Sequence, residues 1–125
     1  MNVLSIEDNH DNFYLEEYLL QAHGHTVTGA CDGKSGIAMA QAHAFDVILL
    51  DIQLPDLDGH EVARRLVLLP GWGHTPIIAV TSFAMEGDRQ KALTAGCSGY
   101  IEKPINPDTF VAQIENIVRE TRTGS

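Results

Sequence analysis

The 125 residues carry eight Lys plus Arg against seventeen Asp plus Glu, a formal net charge of −9, with 44% hydrophobic and 20% charged residues. One domain of this length buries roughly two-thirds of the surface its unfolded chain exposes, enough for a core without disulfides or a structural metal. The charge disfavours direct binding to nucleic acid or an anionic membrane, the composition excludes disorder, and no apolar run approaches the ~20 residues of a membrane-spanning helix.

Val3-Leu4-Ser5-Ile6 is a strand-length apolar run, and the acids Glu7 and Asp8 that follow it are unlike the start of a secretory signal. Asp11 to Ala22 reads as a helix with Leu15, Tyr18, Leu19 and Ala22 at helical spacing, stopped by Gly24. Thr26 to Ala30 reads as a second strand and Ser35 to His43 as an Ala-rich helix. Asp46 to Leu50 is the clearest strand, apolar on both faces, and Gly59 to Leu69 is a helix with Val62, Leu66 and Leu69 on one side. Pro76 to Val80 is again continuously apolar; Met85 to Ala95 reads as a helix closed by Gly96, and Gly99 to Ile101 as a short strand. A last helix runs from Pro107, at its first turn, to Arg119, with Phe110, Val111, Ile114 and Val118 inward. Residues 121–125 read as a frayed tail. Cys31 and Cys97 form no C-x-x-C and read as reduced, packed thiols, which with the unsignalled start points to the cytoplasm.

Strands alternating with helices, several of them apolar on both faces, predict a parallel sheet covered on both sides. In such sheets sites form beyond the carboxyl ends of the strands. Glu7 and Asp8 follow the first run, Asp51 the third, Thr81 the fourth and Lys103 the fifth. Taken singly, each has a plain reading: Asp51 as a turn residue, Glu7 and Asp8 as helix-dipole acids, Thr81 as a strand-end hydroxyl, Lys103 as a solvated charge. Taken together they converge on one edge. Three carboxylates so close stay ionised only beside a cation, and Mg2+ suits a few carboxylates, waters and a phosphate oxygen. The ammonium and hydroxyl suit the remaining phosphoryl oxygens, and Asp51 is the candidate nucleophile. The other fourteen acids read as solvated surface, with Asp56 and Asp58 adding to the field of the site.

The stretches Val3 to Asn9, Val47 to Gly59, Ile77 to Ser82 and Gly96 to Pro104 resemble the receiver domain of two-component response regulators, in order and spacing, over nearly the whole chain. Phe83 to Asp88 and Cys97 to Ile105 are most similar to single-domain receivers of the polar-differentiation and cell-cycle type. The resemblance implies a flavodoxin-like three-layer α/β sandwich over residues 1–120, with a five-stranded parallel sheet in order 2-1-3-4-5 and five helices. It implies that Asp51 accepts a phosphoryl group from a sensor histidine kinase or histidine phosphotransfer protein, without the chain being an enzyme in the ordinary sense. Asp8 would bind Mg2+ directly and Glu7 through water, with Asp51 and the backbone carbonyl of Gln53. Lys103 would pair with phosphoryl oxygens, Thr81 would swing to one of them, and Tyr100 would move into the vacated space; the Lys103-Pro104 bond would be cis.

A downstream protein partner would read the face from Met85 to Gly96 with Tyr100 and the start of the last helix, and the kinase side would touch His10, Asp11, Tyr14 and Ile105. Tyr14 and Trp72 also read plainly as partly exposed aromatics. Ser82 departs from the Ala common in the family, and bulky Phe83 is expected to lengthen the phosphorylated lifetime. The rivals fare worse. An EF-hand fails because its first position would be Leu54 and its twelfth Arg65, and the six histidines form no zinc pattern. An FMN phosphate would be repelled by Glu7 and Asp8, and an aspartyl-phosphate phosphatase would want D-x-D where Asp51 is followed by Ile52 and Gln53. A degenerate scaffold would not keep all five site residues. Met1 and the frayed end favour a free-standing receiver over one excised from a hybrid kinase.

Overall fold

The computed structural model describes residues 1–82 and 87–123. Strands β1 (Asn2–Ile6), β2 (Thr26–Ala30), β3 (Val47–Asp51), β4 (Ile77–Thr81) and β5 (Gly99–Glu102) alternate with helices α1 (His10–Ala22), α2 (Gly33–Ala42), α3 (Gly59–Val67), α4 (Asp88–Ala95) and α5 (Phe110–Thr123). All neighbouring strands pair in parallel, in the order β2-β1-β3-β4-β5. The three-layer sandwich and strand order implied by the resemblance are therefore what the chain adopts. Each strand lies within one residue of its apolar run at either end.

Side chains alternate across the pleat, so each central strand feeds two apolar layers. Leu4, Ile6, Ile48, Leu50, Ile77 and Ala79 pack with residues of α2, α3 and α4. Val3, Leu49, Ile78, Val80 and Ile101 pack with Leu20 of α1 and Phe110, Ile114 and Val118 of α5. Edge strand β2 is thin, and at Gly29 a Cβ would sit 2.7 Å from the Phe13 ring that covers it.

Helices α1, α2 and α3 begin on side-chain caps. Asn9 accepts from the Asn12 amide at 3.0 Å, Asp32 from Ser35 at 2.7 Å and Asp58 from His60 at 2.7 Å. Two helices, α4 and α5, have ends three residues or more from those read in the sequence. α4 starts at Asp88 because Gly87 has φ +89°, a left-handed residue that interrupts the helical path expected from Met85; Met85 itself lies outside the described residues. The Phe110 amide reaches the Asn106 carbonyl at 3.0 Å, so Pro107 lies in a capping turn that leads into α5, which continues past Arg119 to Thr123.

Four sequence expectations need correcting. Tyr18 is 72% exposed, since it lies two residues, about 200° of helical rotation, from buried Leu20. Cys31 is exposed, at the far end of edge strand β2, while Cys97 is buried and its thiol pushed up to about 12 by desolvation. Ile105 is buried in the α1/α5 layer and not on a kinase-facing surface. Glu16 is not solvated: with the side chain of Ser5 it is fully enclosed.

Candidate functional site

The chain runs from β1 outward to β2 and then returns to place β3 on the other side of β1, so the strand order switches between β1 and β3. Beyond the carboxyl ends at that switch a crevice is left between the two loops. Glu7 and Asp8 extend β1, Asp51 ends β3, Thr81 ends β4 and Lys103 follows β5. By the alternation of the strands, Glu7, Asp51 and Lys103 continue the α1/α5 face, whereas Thr81 and Tyr100 continue the α3/α4 face. The site straddles the sheet edge.

One ligand oxygen each from Glu7, Asp8 and Asp51 can be chosen so that all lie within 4.8 Å of one another. Asp8 is exposed; Glu7 and Asp51 are buried. Lys103 Nζ donates to Glu7 Oε1 at 2.5 Å and to Asp51 Oδ2 at 3.4 Å, with all three side chains at least nine-tenths enclosed. Asp51 Oδ1 accepts the Gln53 amide at 2.9 Å, which fixes the carboxylate with its other oxygen toward the lysine.

Burial and then the neighbouring Asp51 carboxyl push Glu7 up to about 8, although the Lys103 ammonium pulls the other way. One lysine does not neutralise two buried acids and an exposed one. Burial would lower Lys103, but the hydrogen bond to Glu7 and the charges of Asp51, Glu7 and Glu16 leave it above the ordinary lysine value. The donor set is all oxygen and short of positive charge, which is the chemistry of a hard divalent cation.

Asp56 and Asp58 do not act as loose field charges. Asp56 accepts the Gly33 and Lys34 amides at 2.8 and 3.0 Å and ties the loop after β3 to the start of α2; desolvation raises its carboxyl, but the amides of Gly33, Lys34, Asp56 and Leu57 together hold it below the ordinary range. Asp58 caps α3. The turn between them brings the Gly59 amide to the Ile52 carbonyl at 2.9 Å, so close that a Cβ would lie 2.4 Å from Ile52 Cα and 2.8 Å from the Asp51 carbonyl oxygen. Backbone cannot yield as a side chain can. Gly59→Ala is therefore expected to lose about 2 kcal/mol or more of stability, read as a lower urea midpoint at unchanged slope; an unchanged midpoint would show that the acceptor loop shifts freely.

Thr81 is buried and Tyr100 half-buried, and both line a cavity of about 780 Å3 with Gln53, Gln90 and Lys91. Ser82 is exposed, and Phe83, with its expected effect on lifetime, lies outside the described residues. The Lys103-Pro104 peptide is cis. His10, Asp11 and Tyr14 are exposed along the start of α1, and Trp72 packs on the α2–α4 layer. Sequence reasoning missed Ser5 and Glu16; the signal was available, since Glu16 precedes Leu20 by four residues on the buried face of α1.

A doubly wound parallel sheet with an acid cluster and an enclosed lysine at its switch point defines the two-component receiver class. The chain belongs to the response regulator receiver domain family, whose family model matches residues 3–115. It is 38% identical over 115 residues to the polar-differentiation response regulator DivK of Brucella anthropi, a match covering 92% of this chain and 94% of that one. Among solved structures it is similar to the chemotaxis protein CheY4 of Vibrio cholerae, at 28% identity and a TM-score of 0.87, over 93% of this chain and 97% of that one. It is also similar to the receiver domain of the sensor histidine kinase PA1611 of Pseudomonas aeruginosa, at 34% identity and a TM-score of 0.83, over 99% and 98%. That structure has a magnesium ion coordinated in its active-site cleft. Among the described residues, no helix is long and apolar enough to cross a membrane.

Proposed function

We propose that this receiver is a signalling phosphoacceptor: Asp51 takes a phosphoryl group from a histidine kinase or phosphotransfer protein, and the change is read by a protein partner. The observation that carries this is the enclosed Lys103 bonded to both Glu7 and Asp51 beside exposed Asp8. Asp8, Glu7, Asp51 and the Gln53 carbonyl would hold Mg2+, which when bound supplies positive charge to the phosphoryl oxygens. The Asp51 oxygen facing Lys103 would attack phosphorus as the phosphorus–nitrogen bond to the donor imidazole breaks, and the product would lie beside the ammonium. Charge placement and orientation are the main demands of such a transfer, and the Gln53 amide and Lys103 provide them for Asp51.

Readout would cross to the other face of the sheet. Thr81 would turn toward the new phosphoryl oxygen, and the adjacent cavity would leave Tyr100 room to follow. Thr81→Ala is expected to accept phosphoryl while the Tyr100 ring resonances stay where they are in the free protein, whereas they move in wild type; NMR of ring-labelled tyrosine checks this. The exposed start of α1, with His10, Asp11 and Tyr14, is the expected face for the phosphoryl donor, and the cytoplasm the expected place of work. The high coverage of the receiver domain of a sensor histidine kinase keeps a receiver within a longer sensor protein as a second reading. The deciding experiment is Mg2+-dependent labelling by acetyl phosphate, present in wild type and absent in Asp51→Asn.

A further inference from the structure

Of the acids among the described residues, three are buried, and Glu16 alone stands away from the acceptor edge. Its carboxyl enters the layer between the sheet and α1, where a leucine would pack without desolvating a charge. Ser5 Oγ donates to Glu16 Oε1 at 2.5 Å, with both residues 1% exposed. Ser5 lies opposite Leu49, and one pleat repeat further along the same face are Glu7 and Asp51, about 7 Å on. The pair thus sits directly beneath the acid cluster, near enough for Glu16 and Lys103 to feel one another's charge.

That placement matters because the hydrogen-bonding partners of Lys103, Glu7 and Asp51, are the carboxylates a cation would share. A cation there weakens their hold on the ammonium. Glu16, one pleat below, keeps its charge for the lysine. We propose that Glu16, oriented by Ser5, is a positioning residue that keeps Lys103 seated when Glu7 and Asp51 are engaged by Mg2+. This rests on the phosphoacceptor reading.

The chain has only three lysines, Lys34, Lys91 and Lys103, so the Lys103 side chain can be followed by NMR of lysine-labelled protein. At pH 8, Glu16→Gln keeps the size of the side chain and an acceptor for Ser5 but removes the charge. In wild type the two Lys103 Hε protons should remain distinct with and without Mg2+, the mark of a held side chain. In Glu16→Gln they should remain distinct without Mg2+ and merge with it, and acetyl phosphate labelling should slow about fivefold, as expected for one charge lost at this range. Protons that stay distinct in both states, or merge in both, would overturn the proposal, and so would an unchanged labelling rate. If Glu16→Gln fails to fold, Ser5→Ala, which leaves the acid but frees it to turn, is judged by the same signals. Wild type that takes no label at all would sink the phosphoacceptor reading, while the Lys103 signals would still decide the role of Glu16.

Discussion

Asp51→Asn, given acetyl phosphate and Mg2+, is expected to take up no hydroxylamine-labile phosphoryl group, while wild type takes one per chain and takes none when the metal is chelated beforehand. The effect is total because a neutral amide oxygen is a poor nucleophile for phosphorus, and among the described residues no other acid has its carboxylate fixed as Asp51 does by the Gln53 amide and Lys103. The substitution spares the fold. Asn keeps the shape and can still accept from Gln53, and it removes the like charge that helps push Glu7 up to about 8. Metal-free Asp51→Asn should therefore melt higher than metal-free wild type, which separates lost chemistry from lost structure. Label persisting in the variant would move the acceptor to another acid. Sustained release of phosphate from small esters by wild type would instead make the chain a phosphatase.

The acceptor edge was legible because of where it lies. Four of the five strands are short apolar runs, and the one or two residues after such a run are placed at the sheet edge by chain geometry alone. Glu7, Asp51, Thr81 and Lys103 needed no tertiary information. The strand order was a different matter: right-handed crossovers leave several orders open, and only the resemblance selected among them. Tyr18 was misplaced because a tyrosine counts as apolar in a periodicity, yet its ring can lie outward at no cost. Glu16 was misplaced for the opposite reason. A glutamate at a buried helical position reads as solvated unless the serine across from it, Ser5, is recognised as its partner, and that pairing joins residues eleven apart on different elements. The start of α4 failed at Gly87, whose left-handed backbone a glycine permits but does not announce.

Glu16 should also leave its mark on stability. Desolvation raises its carboxyl from 4.5 to about 7, with the hydrogen bond from Ser5 and the charge of Lys103 pulling back only in part. The unfolded chain ionises this group near its ordinary value, whereas the folded chain keeps it protonated until about pH 7. Between those values the native state binds the extra proton, so stability is greatest below pH 4.5 as far as this group is concerned and falls as pH rises toward 7. Two and a half pH units amount to about 3 kcal/mol, a large part of the stability of a domain this size. Glu7 shifts in the same direction, so metal-free wild type should lose stability steadily from pH 5 to 8, and saturating Mg2+ should remove the part due to Glu7. Glu16→Leu removes the other part: its urea midpoint should exceed that of wild type at pH 8, and the gap should close toward pH 5. A gap independent of pH would mean that leucine merely packs better. If both observations hold, an acid that costs the fold about 3 kcal/mol at pH 8 is kept where leucine would be more stable, and the lysine above it is the residue with a use for that charge.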